Sequence, residues 1–219
     1  MMPVSEKYLA DFEPGNTYHV YNRTNNKEKL FLSDDNRSYF LQKYLQFLSP
    51  LVDTYCWSLL SNHFHFLNKI KSNDVIISMM NDKKHKTLNE LKFLDGEIAI
   101  GELIEGAYKR FFQSYAISFN NTHNRKGNLF YKPFKRVLVE KDTQFTQAIV
   151  YVHANPVKHS LISDFTQYKW SSWQEIISNK PTLLLRDELF DWFGSREKFI
   201  QAHYDLTKYY YQCEISIEE

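Results

Sequence analysis

A short run of alternating residues constrains the fold of this chain more than any other segment. Between Asn62 and Ile70, NHFHFLNKI alternates polar with bulky apolar side chains, a pattern typical of a β-strand. Successive strand residues point to opposite faces, so Phe64 and Phe66 can enter a core. His63 and His65 then share the other face, about 7 Å apart. The pattern predicts a strand with two histidines on an exposed or half-exposed surface.

Strands and helices are predicted on both sides of this segment. Strands are expected at 16–24, 51–61, 62–70 and 129–140, where 51–70 is either two strands or one strand bent near Ser61–Asn62. Helices are expected from Ser33 to about Pro50, from about Glu102 to Asn120, and from an N-cap at Asp142 to Asn155–Pro156. Between them, 72–101 resembles an insertion with a short helix, and Pro133 indicates an edge strand or a bulge.

The order of these elements predicts an α+β fold. It resembles a split βαβ sandwich, with an antiparallel sheet and helices on one face. We expect one domain over residues 1–172 and a helical C-terminal extension over 173–219.

Composition excludes several classes of protein. Only two cysteines, Cys56 and Cys213, are present, which excludes a disulfide framework and a thiolate metal site. No signal peptide is evident and no apolar run approaches the ~20 residues of a membrane span, so we expect a cytoplasmic protein.

Charge is unevenly distributed, although the net charge is only +1. Between Lys109 and Lys141, Glu140 is the only acid among many basic residues, whereas the chain beyond Leu183 is rich in acids. This asymmetry is compatible with binding to a polyanion, and equally with a solvated basic face.

The predicted helix over 142–155 offers two polar side chains on one flank. Phe145, Ala148, Ile149 and Val152 recur at helical spacing and form its buried stripe. Tyr151 and Asn155 lie one turn apart, outside that stripe. Each has an ordinary alternative interpretation, because Tyr151 can be a boundary aromatic and Asn155 a C-cap.

Several segments, taken in order, resemble a known family. SNHFHFL contains two histidines around one bulky apolar residue, YVHANPVKHSLI contains a tyrosine four residues before Asn-Pro, and GNLFYKPFKR and YKWSSW complete the set. The chain resembles the IS200-like single-tyrosine (Y1, HUH) transposases, specifically the branch associated with repetitive extragenic palindromes (REP). The resemblance extends from about Asn16 to Trp173.

The resemblance implies a fold, an activity and a site. The implied fold is the ferredoxin-like sandwich. His63, His65 and Asn155 would hold a divalent metal, Mg²⁺ or Mn²⁺, and Tyr151 would be the nucleophile. The implied enzyme nicks and joins single-stranded DNA near hairpins through a 5′-phosphotyrosine intermediate.

The implied partner is single-stranded DNA with a hairpin, either REP-like or a transposon end, with no membrane involved. Family members occur as monomers and as homodimers, and we favour a monomer. Relatives often have arginine where Pro133 stands, so one phosphate contact is in question. The predicted DNA-backbone contacts are Arg23, Lys27, Arg125, Lys126, Lys132, Lys135 and Arg136.

Two other functions remain open from the sequence. The chain could be a non-catalytic nucleic-acid-binding module on the same fold. It could also be a hydrolase with a histidine metal site, although the carboxylates expected near such a pair are missing.

Overall fold

A four-stranded antiparallel sheet with strand order β2-β3-β1-β4 forms the centre of the fold. The computed structural model describes residues 6–212, with side chains for residues 7–208. The strands are β1 (Thr17–Arg23), β2 (Val52–Leu59), β3 (His63–Ile70) and β4 (Lys135–Leu138). β3 lies between β1 and β2 and is antiparallel to both, as in a split βαβ unit. The predicted α+β class and ferredoxin-like sheet are confirmed.

Eight α-helices surround this sheet in the described part of the chain. They are α1 (Asp34–Leu48), α2 (Asn73–Asn81), α3 (Leu88–Leu94), α4 (Ile100–Thr122), α5 (Asp142–Lys158), α6 (Trp173–Ile177), α7 (Arg186–Phe193) and α8 (Arg196–Gln212). The region over 72–101 contains α2 and α3, so it is more regular than the sequence suggested. None of the helices described is both long and apolar enough to cross a membrane.

The helices cover both faces of the sheet, which corrects the prediction that they lie on one face. Phe64 and Phe66 of β3 pack in the core that contains α1 and α4. Cys56 of β2 and Leu67 of β3 instead pack in a second core with α5, α7 and α8. β2 and β3 bury side chains on both faces, and buried faces on both sides need two covering layers.

The helix α5 differs from its prediction at both ends. Asp142 is its first residue, and Lys141 occupies the N-cap position. The helix also continues through Pro156 to Lys158. Proline removes only one N–H donor here, and little more than half a turn follows it, so the cost stays small. The N–H of His159 still donates to the carbonyl of Asn155, at 3.0 Å.

Residues that follow α5 cover the outer edge of β2. The N–H of Leu59 donates to the carbonyl of Trp170, and the N–H of Ser172 donates to that of Trp57. The element YKWSSW therefore pairs with an edge strand that would otherwise expose its backbone groups. At the other edge, β4 is a short strand that begins two residues after Pro133, as an edge position predicts.

The predicted C-terminal extension contains α6, α7 and α8, and α8 packs along α5. A domain boundary at 173 stays a prediction. Residues 213–219, including Cys213, lie outside the described residues.

Candidate active site

The two histidines of β3 lie on the face of the sheet that α5 covers. Their ring centroids are 5.2 Å apart. His65 is fully buried and His63 is half-buried. The prediction that they share a face is therefore correct, but their surface is not open to solvent, because α5 packs over it.

Tyr151 and Asn155 of α5 meet these histidines. Nε2 of His63 lies 3.3 Å from Oδ1 of Asn155. The ring of Tyr151 lies edge-on to His65, with 5.7 Å between the centroids. Tyr151 and Asn155 are almost completely buried, although the helical pattern had placed them outside the core. The stripe through Ile149 packs on β2, and the adjoining flank of the same helix faces the histidines.

Hydrogen-bond neighbours distinguish the two nitrogens of each histidine. Nδ1 of His63 lies 2.7 Å from Oδ1 of Asn62, and Nδ1 of His65 lies 2.9 Å from Nε2 of His19. A histidine that binds a cation usually donates its other ring N–H to such a neighbour, which fixes the tautomer. The arrangement therefore suits coordination through Nε2 in both rings.

The spacing of the donor atoms fits a cation. Two ligand atoms each about 2.1 Å from one ion, at right angles, lie about 3.0 Å apart. The 3.3 Å between His63 Nε2 and Asn155 Oδ1 is close to that value. Once Nδ1 of His63 donates to Asn62, Nε2 and the amide oxygen face each other with lone pairs, a contact that a cation would stabilise. No group of three or more His, Cys, Asp or Glu suitable for a metal exists among residues 6–212.

Four side chains around this set were missed by the sequence reasoning. The rings of His19 and Tyr21 in β1 stack, with 4.8 Å between their centroids, and both lie on the same face of the sheet as His65. At the end of α5, Nζ of Lys158 lies 5.0 Å from the centre of the Tyr151 ring, and the His159 ring lies 4.7 Å from that of His63. Alternation in NTYHVYNRT could have indicated His19 and Tyr21, given antiparallel pairing with β3.

Two of the predicted DNA contacts lie on the same face as the histidines. Arg23 is the cross-strand partner of His63 and is exposed. Lys135 is the cross-strand partner of Tyr21, which in turn pairs with His65. Directly opposed residues in a sheet share a face, so Arg23 and Lys135 add positive charge beside the site.

The other predicted DNA contacts lie elsewhere. Lys27, Lys126 and Lys132 are exposed. Arg136 faces the opposite side of the sheet, where it is buried, donates to the carbonyl of Ala10 and pairs with Glu105 at 3.3 Å. Arg125 donates two hydrogen bonds to Glu28, from Nε to Oε2 at 2.6 Å and from Nη2 to Oε1 at 2.9 Å. Arg125 and Arg136 are therefore occupied with structural contacts.

We expect Arg125→Ala to lower the free energy of unfolding by about 1–2 kcal/mol, since a bidentate, partly exposed ion pair is lost. Arg125 also donates to the carbonyls of Gly127 and Asn128, so the turn loses its anchor. Urea denaturation measures the change. Lys126→Ala is the matched control and should stay within about 0.5 kcal/mol of the wild type. Equal effects of the two substitutions would contradict the structural role.

A buried hydrogen-bonded chain joins α5 to α8 beside the site. Nδ1 of His203 donates to the carbonyl of Phe199 at 2.8 Å, and Nε2 of His203 lies 2.9 Å from Nδ1 of His153. Nε2 of His153 lies 2.9 Å from Oγ of Ser172. Burial lowers the pKa of His203 to about 4. Burial, together with the neighbouring His203, holds the pKa of His153 well below its usual value. Both rings are therefore neutral near pH 7.

Comparison with known proteins identifies the fold. No protein-family model matches the chain. No curated protein matches it by sequence. Among solved structures, the chain is similar to a REP-associated tyrosine transposase bound to a REP hairpin, with a TM-score of 0.54 and 12% identity. The match covers 83% of this chain and 89% of that one. The chain thus has a fold like that of a REP-associated Y1 transposase.

Proposed function

We propose that this protein is a metal-dependent enzyme that nicks and rejoins single-stranded DNA through a covalent tyrosine intermediate. One observation carries the proposal: Tyr151 and Asn155 on α5 meet His63 and His65 on β3 in one buried cluster. The similar fold of a transposase bound to a DNA hairpin supports the same function.

His63 and His65 would hold the metal through Nε2, with Oδ1 of Asn155 as the third protein ligand. Imidazole favours Mn²⁺, whereas an amide oxygen and an incomplete ligand shell also suit Mg²⁺. His19 and Asn62 would orient the two imidazoles from behind. A bound divalent ion would polarise the scissile phosphate and offset the negative charge that develops on its oxygens.

Tyr151 would attack the phosphorus atom in line. A bond forms between the phenolic oxygen and phosphorus, and the bond from phosphorus to the 3′ oxygen breaks. The phenol loses its proton, and the departing 3′ oxygen gains one. The products are a 5′-phosphotyrosine and a free 3′-OH. A 3′-OH can reverse the step and rejoin strands without a nucleotide cofactor, because the covalent linkage preserves the phosphodiester energy.

The half-buried rim at His63 is the route by which DNA would reach Tyr151. Arg23, Lys158 and His159 surround this rim. Lys158 also lies over the Tyr151 ring, with its Nζ 5.0 Å from the ring centre. Because the similar transposase structure is bound to a DNA hairpin, we assign as substrate an unpaired strand next to a hairpin.

The test is an adduct assay on hairpin DNA with single-stranded flanks. We expect a protein–DNA species that survives denaturation in the presence of Mn²⁺ or Mg²⁺. Chelation by EDTA should lower the rate of adduct formation at least about 100-fold, because the metal supplies several kcal/mol of charge stabilisation. A fully duplex DNA of the same sequence is the control and should give no adduct.

Salt-sensitive binding without adduct, across several hairpins and both metals, would contradict catalysis. That result would instead support a non-catalytic DNA-binding module on this fold.

A further inference from the structure

A second concave site lies on the opposite face of the sheet from the histidines. It is a cavity of about 760 Å³ between α4 and the segment 127–134. Ligand sites commonly have about 300–1,000 Å³, so this cavity is large enough for a small planar group with its attached sugar.

The floor of the cavity is aromatic. Phe112, Phe130 and Phe134 line it, with ring centroids 5.1 Å apart for Phe112–Phe130 and 5.3 Å apart for Phe112–Phe134. These rings are mostly buried in the core, so their positions are fixed by packing. A rigid aromatic floor favours a planar, stacking ligand.

The rim of the cavity is polar and carries positive charge. The exposed amide side chains of Gln113 and Asn128 can both donate and accept hydrogen bonds, as the edge of a nucleobase requires. Lys109, Lys132 and Arg136 line the cavity with Glu105, the single carboxylate among the described lining residues. Lys109 and Arg136 both pair with Glu105, with N–O distances of 2.6 and 3.3 Å. Lys132 is exposed, and its charge at the rim complements a phosphate group.

The cavity is adjacent to the site of the proposed nicking reaction. Asn22 lines the cavity, and the next residue, Arg23, lies on the other face of the sheet beside His63. The guanidinium of Arg23 lies 5.4 Å from the centre of the Tyr131 ring, and Tyr131 also lines the cavity. Arg23 and Tyr131 therefore join the two sites around the end of β1.

We propose that this cavity binds one unpaired nucleobase of the DNA strand that reaches Tyr151, and so contributes to the choice of sequence. This inference rests on the proposed function. The base stacks on the phenylalanine floor, the rim amides contact its edge, and Lys132 contacts the phosphate that follows. An apolar small molecule would use the floor but would not use the charge of Lys132.

The test uses flanked hairpins in which each flanking nucleotide in turn is replaced by an abasic one. Loss of one stacked base weakens binding about 5- to 150-fold. We expect this loss at one flanking position with the wild-type protein. Ala116 lines the cavity, and Ala116→Phe would place a ring in the space that the base is proposed to occupy. This variant should bind the intact hairpin less tightly by a similar factor and should be insensitive to the abasic substitution at that position.

The exposed Gln113 provides a second variant that does not disturb packing. Gln113→Ala should reduce the abasic effect at the same position, whereas Gln42→Ala, an exposed glutamine of α1 outside the cavity, should leave it unchanged. Wild-type protein that binds hairpins and forms the adduct, but shows no sensitive position, would overturn the cavity assignment alone. An unchanged abasic profile in both variants would do the same. Absence of both binding and adduct would overturn the cavity together with the proposed function.

Discussion

Replacing Tyr151 with phenylalanine is expected to lower the rate of covalent protein–DNA adduct formation at least about 10³-fold, while hairpin binding is kept. The substitution removes only the phenolic oxygen. The ring keeps its edge-on contacts with His19 and His65, at 6.0 and 5.7 Å between centroids, so the cluster keeps its shape. Binding depends on the surrounding cations and bases, which the substitution leaves in place. The effect should therefore fall on the chemical step alone.

A denaturing gel measures the adduct, and fluorescence anisotropy measures binding of the same hairpin. Tyr115→Phe is the matched control, because Tyr115 is equally buried but lies in the other core and donates to the carbonyl of Leu30. That variant should lose about 1 kcal/mol of unfolding free energy, because one hydrogen bond is removed. It should form as much adduct as the wild type.

Tyr21 is the competing phenol, because it is buried and stacks on His65 with 5.5 Å between centroids. An adduct that persists in Tyr151→Phe and disappears in Tyr21→Phe would transfer the nucleophile to β1. Mass spectrometry of the nuclease-trimmed adduct would identify the modified tyrosine directly.

The strands could be predicted because their residues alternate locally. The alternation along β3 places Phe64 and Phe66 on one face and His63 and His65 on the other. No contact with a distant part of the chain is needed for that inference. The same pattern located a break near Ser61–Asn62 but left open whether it was a bend or a turn. The antiparallel pairing of β2 with β3 shows that it is a turn.

The covering of the histidine face could not be predicted in this way. A helical stripe shows one packed face, but α5 packs on the sheet, on α8 and on the segment around Phe165. Its partners on α8 lie some fifty residues away, as the pairing of His153 with His203 shows. Tyr151 and Asn155 therefore appeared to lie outside the core, although they line its most polar part.

Basic residues show the same limit. Arg136 and Lys135 are neighbours in sequence, and their charge alone does not distinguish them. The register of β4 on β1 places Arg136 beside Val20 and Lys135 beside Tyr21, on opposite faces. Only Lys135 lies with the histidines, and only the strand pairing could show it.

Acid is expected to destabilise this protein through the buried His203. Its folded-state pKa is about 4, below the ordinary value of 6.5, so the unfolded chain binds more protons between these two values. The free energy of unfolding therefore falls as the pH is lowered from about 7 to 4. This difference between the folded and unfolded pKa of His203 corresponds to a loss of about 3 kcal/mol in the free energy of unfolding. That is a large share of the roughly 5–15 kcal/mol typical of a folded domain.

Urea denaturation at several pH values between 7.5 and 4 measures this dependence. His203→Asn isolates the group, because a neutral amide can still donate to Phe199 and accept from His153 but does not titrate. Its stability should change less with pH than that of the wild type. His85→Asn, at an exposed histidine, should follow the wild type.

An equally steep acid dependence in His203→Asn would contradict this assignment. The expected result would assign part of the acid sensitivity to the buried histidine that joins α8 to α5. The acid-sensitive link acts on the same helix that carries Tyr151, because His153 lies two residues after the proposed nucleophile and holds α8. Adduct formation should therefore be more sensitive to acid in the wild type than in His203→Asn.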